Sequence, residues 1–458
     1  MPLLACSQPI SESTVYKNLT DADENTVIYG ASSLGSDKSV GEHGIFWHEI
    51  SLLKYYDVKA KESYVICSKS NCRHSDSSCS GWYAQPFDAS GLALYGKNVY
   101  AIKLNEGRNA YELISMDISG NNQKAVSSFA AGDYSKEGWI LSSLQDVCYI
   151  GGRAWFRADY YYSYGINTGQ KSSDTKTACS LFGVNLKDGS RVVINELPAS
   201  EDEMTPELYA ECCLEYISKD YAMICKIWNA AEKLTEEEFK KEFAEGKYSE
   251  FKDSEDPYYD YLEWHSYNSE YVYSYLLYDI QNGSLSEFEK GVPDADYDDG
   301  RIGGIYSPYI FSGSFENKIL YHTFDYRTVY SGSSGTSVFT FDPKNKKTEL
   351  VLDIKCGTLL FAEGFGFSIS SSVLDNEKLL YCIFKGSGKA DICTYNLRTK
   401  EHAVLYEDDE RITFRIIGEM SGKYIGYKVD FKSDTQTLSS ISKEDYMKGN
   451  LNASEKLF

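Results

Sequence analysis

Two short strand signatures alternate along the whole chain, and this alternation restricts its fold more than any other feature. One is a β-like run ending in Asp or Asn, followed by an apolar residue and a tight polar turn. It reads LLKYYDVKAKESYVI (52–66), ELISMDISGNNQKAV (112–126), SLFGVNLKDGSRVVI (180–194), YLLYDIQNGSLSEF (275–288), SVFTFDPKNKKTELV (337–351) and DICTYNLRTKEHAVL (391–405), with a weaker ISKEDYMKGNLNASEKL (441–457). The anchors are Asp57, Asp117, Asn185, Asp279, Asp342, Asn396 and Asp445. Their turns carry SG, DG, NG or Lys-rich strings, which supply positive φ and close a hairpin between twisted strands.

The second signature precedes each of these: a turn, then strict alternation. It reads GEHGIFWHEI (41–50), GKNVYAIKL (96–104), GGRAWFRAD (151–159), SKDYAMICKI (218–227), ENKILYHTF (316–324), NEKLLYCIF (376–384) and SGKYIGYKV (421–429). Period-two alternation filled with aromatic and β-branched residues marks antiparallel strands. Four such strands repeated seven times predict an all-β, seven-bladed β-propeller of four-stranded antiparallel blades. With strands lettered A to D from the channel outward, the first signature is the C–D hairpin and the second leads into strand B. Strands from the two chain ends are expected to close the ring at blade 7.

The stretch between the anchors measures the B–C loop. It is short in blade 2, grows in blade 3 (Arg153 to Asn185) and is longest in blade 4 (Asp220 to Asp279). Residues 26–458 therefore read as one propeller domain carrying an insertion at 228–271. The insertion contains one predicted helix, Glu236 to Glu245, with a Thr235/Glu238 capping box, a Phe239/Phe243 stripe and Gly246 as a stop. This helix is expected to pack on the propeller rim.

The formal charge of −22 repels phosphate backbones and anionic headgroups, so nucleic acid is not expected as a partner. No run of eighteen apolar residues offers a membrane span. Residues 1–25 read as a lipobox remnant and linker: Leu3-Leu4-Ala5-Cys6 resembles the string in which a bacterial lipoprotein cysteine is acylated, although the signal peptide it belongs to is truncated in this sequence. Acylation at Cys6 would make the chain an exported cell-surface lipoprotein that touches the membrane only through its lipid, and a monomer is expected.

Catalytic strings are missing. There is no GxSxG elbow, and GSSG (332–335) lacks its spacing. The six histidines form no Ser/His/Asp pattern, and phosphate-binding and dinucleotide fingerprints do not occur. The acidic string DADYDDG (294–300) fails the EF-hand register, with Asp299 and Ile305 where Gly and Glu are needed. Paired carboxylates acting on a polysaccharide leave no linear signature, so a propeller glycosidase is the alternative function.

Two groups of residues invite binding chemistry. Cys67, Cys72, His74 and Cys79, spaced C-x4-C-x-H-x4-C between blades 1 and 2, could close a tetrahedral Cys₃His site. Zn²⁺ suits that donor set, and four protein ligands would make the site structural. A disulfide between two of the three cysteines, or free thiols, are the rival readings. The long B–C loops of blades 3, 4 and 5 carry Tyr160, Tyr162, Trp228, Tyr258, Tyr259, Tyr261, Trp264, Tyr326, Arg327 and Tyr330. Flat aromatics on one face of a rigid scaffold suit a glycan, a peptide or a protein. The competing reading is that these rings pack the insertion.

The run VICSKSNCRHSDSSCSGWYA, followed by ALYGKNVYAIKL and the YELISMDISGNNQKAV hairpin, resembles a group of TolB-like bacterial β-propeller lipoproteins of uncharacterised function. The likeness is close over blades 1 and 2 and extends elsewhere only as blade rhythm. It implies an exported, surface-anchored, non-catalytic propeller. The truncated signal and the blade 4 insertion depart from that pattern. The expected function is a non-catalytic binding or scaffold module whose ligand sits on the face bearing the long B–C loops.

Overall fold

Strand B of blade 2 (Asn98–Asn105) shows how the ring is built. Val99 and Ala101 belong to the hydrophobic cluster shared with blade 1, while Tyr100 and Ile102 belong to the cluster shared with blade 3. Successive side chains on a strand point to opposite faces, so an alternating strand that is apolar on both sides must be sandwiched between two sheets. The computed structural model describes residues 19–31, 38–49, 51–82, 91–105, 110–130, 139–162, 177–194, 211–229, 233–268, 271–293, 309–324, 335–360, 373–386, 389–408, 412–430 and 432–457. They form seven antiparallel blades, 38–65, 93–130, 139–193, 211–293, 310–354, 357–408 and 412–456, as the repeats predict. A separate buried cluster fills each of the seven contacts between neighbouring blades.

Six of the seven anchors end a strand C and do the same work. Asp57, Asp117, Asp279, Asp342 and Asn396 each accept two backbone N–H bonds from the turn that follows, and Asn185 accepts one. That Asx geometry stands in for a backbone turn, which is why Asp and Asn are interchangeable there. Blade 7 departs. Its strand C (Thr435–Ser442) runs into a short helix, Lys443–Met447, and Asp445 lies inside that helix, accepting from the Ser442 hydroxyl at 2.6 Å. Buried Tyr446 replaces a hairpin with a packed helical turn before the two-residue strand D (Glu455–Lys456).

The expected closure by both chain ends is not what forms. All four strands of blade 7 come from 412–456 and all four of blade 1 from 38–65, so the seam between them is held by side chains rather than by a shared sheet. Ile45, Trp47 and Tyr56 of blade 1 meet Met420, Ile425 and Leu438 of blade 7. The N-terminal strand Ile28–Tyr29 instead joins the inner edge of blade 3, opposite Cys148 and Tyr149. Gly30 donates to Val147 O at 2.8 Å and Ala31 pairs with Leu92 of blade 2, so this segment lies in the channel across two blades.

The insertion holds two helices where one was expected. Helix α1 (Glu236–Ala244) has the predicted capping box, and its Phe239 and Phe243 rings stack at 5.3 Å. Helix α2 (Pro257–Asn268) starts from Pro257 at its first position, with Asp256 accepting from the Tyr259 N–H at 3.2 Å. Its aromatic density read as loop because tyrosines and a tryptophan are only middling helix formers. The two helices share a small core of Phe239, Tyr258 and Tyr261.

Because the seam depends on side-chain fit alone, Gly418→Ala should be costly: a Cβ there would lie 2.7 Å from Val40 Cβ across the seam. Overpacking of this kind costs about 1–3 kcal/mol, measurable by urea denaturation. An unchanged denaturation midpoint would show that the seam yields.

Candidate functional site

The Cys₃His segment is pinned at both ends by one residue of blade 1. Leu53 in strand C accepts from the Ile66 N–H at 3.0 Å and donates to Gly81 O at 2.8 Å, so the chain leaves the sheet edge at Cys67 and returns to it at Gly81. Between those points Asn71 (φ 59°) and His74 (φ 52°) adopt left-handed backbone, which turns the loop back on itself. The loop brings all four predicted residues together: the sulfurs of Cys67, Cys72 and Cys79 and a ring nitrogen of His74 lie within 4.8 Å of one another. His74 Nδ1 is 3.2 Å from Cys79 Sγ. Ligand atoms around a tetrahedral zinc are separated by roughly 3.5–3.8 Å, so closing on an ion needs the His74–Cys79 pair to open slightly and the widest pairs to shorten by up to about 1 Å.

Electrostatics act on the donors in opposite directions. Burial raises the Cys67 thiol, but N–H groups of Lys69 and Ser80 and the Ser80 hydroxyl stabilise its thiolate and bring it down to about 7. Burial pushes Cys79 up to about 12, against a backbone N–H from Gly81. Burial, then the charge of Lys54, lowers His74, which keeps its imidazole neutral and able to ligate. The loop leaves from the D–A end of blade 1, yet it packs against the C–D turn of blade 2 at the outer rim. Asn121 Nδ2 donates to Ser68 Oγ at 2.9 Å, and a Cβ on Gly120 (φ 77°) would lie 2.4 Å from Ile66 O. An ion here would therefore fasten blade 1 to blade 2.

The predicted aromatic residues separate by burial. Tyr160, in strand B of blade 3, lies in the core between blades 2 and 3. Tyr258 and Tyr261 fill the helical insertion, their hydroxyls bonded to Leu234 O and Leu234 N at 3.1 and 2.9 Å. Trp228 is half-buried in strand B of blade 4, opposite Val272. Tyr259 and Trp264 on α2 stay 62% and 38% exposed. The side chain of Tyr162, residues Tyr326, Arg327 and Tyr330, the 294–300 acidic string and Cys6 lie outside the described residues. Tyr161, beside Tyr160 in the same aromatic run, is 36% exposed at the B–C end of blade 3. Only the strand register distinguishes it from buried Tyr160.

Two further features escaped sequence reasoning. A cavity of about 830 Å³ opens on the A–B side, lined by residues 20–23 and 26–29 and by the A–B turns of blades 1, 2, 6 and 7. Glu215 is the extra residue of a bulge in strand A of blade 4 (Glu211–Ile217). Its neighbours Leu214 and Tyr216 enter the clusters on either side, and Glu215 itself is buried. Burial pushes its carboxyl up to about 8.

A scan of the sequence against protein-family models and a search of curated proteins both return no match. Solved structures do align with the fold. An oligogalacturonate lyase in complex with manganese aligns at TM-score 0.41 and 9% identity, over 93% of this chain and 98% of that one. The β-propeller domain of the trilobed protease from Pyrococcus furiosus aligns at 0.42 and 9%, over 94% and 98%. TolB from Acinetobacter baumannii aligns at 0.25 and 10%, over 86% and 77%. Likenesses this distant carry no activity across. Among the described residues, no helix is long and apolar enough to cross a membrane.

Two outcomes are expected. The purified protein should bind about one zinc per chain, more weakly as pH falls because the thiols must lose protons; Cys72→Ser should abolish that binding and lower the melting temperature, while Cys356→Ser should do neither. Metal analysis with calorimetry checks this, and a stoichiometric disulfide without zinc would contradict it. Glu215 should also shape stability against pH. Its folded pKa lies above the unfolded value of about 4.3, so the unfolded chain releases the proton first and stability is lost as pH rises from there to about 8. Glu215→Gln should remove that slope and stabilise the protein at pH 8, by urea denaturation across the range.

Proposed function

We propose that this chain is a non-catalytic binding or scaffold propeller of the cell surface, with a structural zinc at Cys67, Cys72, His74 and Cys79 and a ligand-binding face at the B–C ends of blades 3 and 4. The observation that carries this reading is the placement of exposed rings. The large hydrophobics exposed among the described residues include three aromatics, and Tyr161, Tyr259 and Trp264 all belong to the B–C side of two adjacent blades. Rings that only packed the insertion would be buried, as Tyr258 and Tyr261 are. Loops and insertions on a rigid scaffold are where binding residues gather, and aromatic rings with polar edges suit glycans and peptides.

The zinc reading is supported by the donor set and by the loop's pinning to two blades. All four positions are filled by protein, which leaves no open coordination site for chemistry. The Ser312–His322 pair, 2.8 Å apart, is fully enclosed between strands A and B of blade 5, so its hydroxyl is not offered to a substrate. Surface anchoring through an acylated Cys6 rests on the Leu3–Cys6 string.

Glycan and peptide arrays test the reading. Binding should be lost in a Tyr161→Ala, Tyr259→Ala, Trp264→Ala triple variant whose melting temperature matches the parent's. Retained binding in that variant would move the site elsewhere.

A further inference from the structure

Resting on the reading that the B–C side of blades 3 and 4 binds, we propose that the exposed arc of helix α2 docks a lysine- or arginine-rich polypeptide segment. The helix divides cleanly by spacing. Tyr258, Tyr261, Leu262 and His265 fall on one side, and the first three join the insertion core. At 100° per residue the opposite side carries Tyr259 and Trp264 at its edges, with Asp256 and Asp260 between them. Two exposed rings thus flank two carboxylates along about two turns of helix.

Charge selects the partner. Between residues 228 and 271 there are thirteen Asp and Glu against five Lys and no Arg, and from Asp253 to Tyr271 there is no Lys or Arg at all. Two of the five lysines are already engaged within the insertion: Lys240 pairs with Glu236 at 2.6 Å, and Lys247, just beyond α1, pairs with Glu242 at 3.1 Å. The α2 arc has no such basic residues on its own segment, on a chain whose net charge is already −22. An acidic peptide would be repelled, and a neutral sugar would gain nothing from the charge. A basic segment gains attraction from the carboxylates and cation–π contact with the rings.

The tryptophan is set for that contact. Trp264 is held against Tyr248, Phe251 and Tyr261 at centroid distances of 6.2, 6.3 and 6.3 Å, so its ring is positioned before a partner arrives. Little side-chain entropy remains to be lost there on binding.

The test titrates the full chain with a fluorescent peptide alternating lysine and glycine, a glutamate–glycine counterpart and a neutral glucan oligosaccharide. The Lys–Gly peptide should bind, and should weaken roughly tenfold in high salt and in Asp260→Lys or Tyr259→Ala. Tyr259 is largely exposed, so the second variant keeps the fold if the first disturbs it. Equal or tighter binding of the glutamate peptide or the glucan, lost in Tyr259→Ala, would overturn the basic partner and leave the binding face intact. No binding by any probe, or binding indifferent to both substitutions, would overturn both.

Discussion

Everything in this structure depends on burying both faces of each blade. A four-stranded sheet that is apolar on two sides cannot stand in water, and packing it radially against two neighbours removes both faces at once. The seven interblade clusters carry the large side chains: Phe46, Tyr55 and Tyr64 between blades 1 and 2, Trp155 between 3 and 4, and Tyr273 and Tyr275 between 4 and 5. Each fully buried ring contributes about 2–3 kcal/mol of transfer free energy, so the propeller is stabilised by several separate clusters rather than by one centre.

That distribution lets the ring dispense with a shared closing sheet. The contact between blades 1 and 7 is one cluster among seven, built on Trp47, Tyr56 and Leu438. The N-terminal segment spends its hydrogen bonds inside the channel, where the inner edges of blades 2 and 3 offer unpaired backbone groups. Unpaired strand edges are costly when they are dry, and residues 28–31 cover part of that edge. The same segment forms a wall of the cavity at the channel mouth.

Once the scaffold is rigid, its connections can specialise. The D–A connection of blade 1 folds into a compact loop whose four donors converge, and it wedges against Gly120 of the next blade. The B–C connection of blade 4 carries a helical pair with its own core, which leaves Tyr259 and, in part, Trp264 exposed. Neither element alters the ring, because each begins and ends on residues already fixed by strand pairing.

By itself the sequence determined the number of blades, the hairpin anchors and the four metal-ligating candidates, because these follow from local spacing. Alternation sets which residues face a neighbour, Asp or Asn at a strand end sets the turn, and C-x4-C-x-H-x4-C lies within reach of a single loop. The blade 7 anchor misled because ISKEDYMKGN carries the polar turn residues of the other hairpins while its Ser442 caps a helix. Only the tertiary structure decided what depends on distant partners. It put Ile28–Tyr29 beside blade 3, buried Glu215 in a bulge that spacing cannot show, and divided neighbouring tyrosines such as Tyr160 and Tyr161 into core and surface. Burial belongs to the whole ring, and a side chain's exposure depends on which strand another part of the chain supplies to cover it.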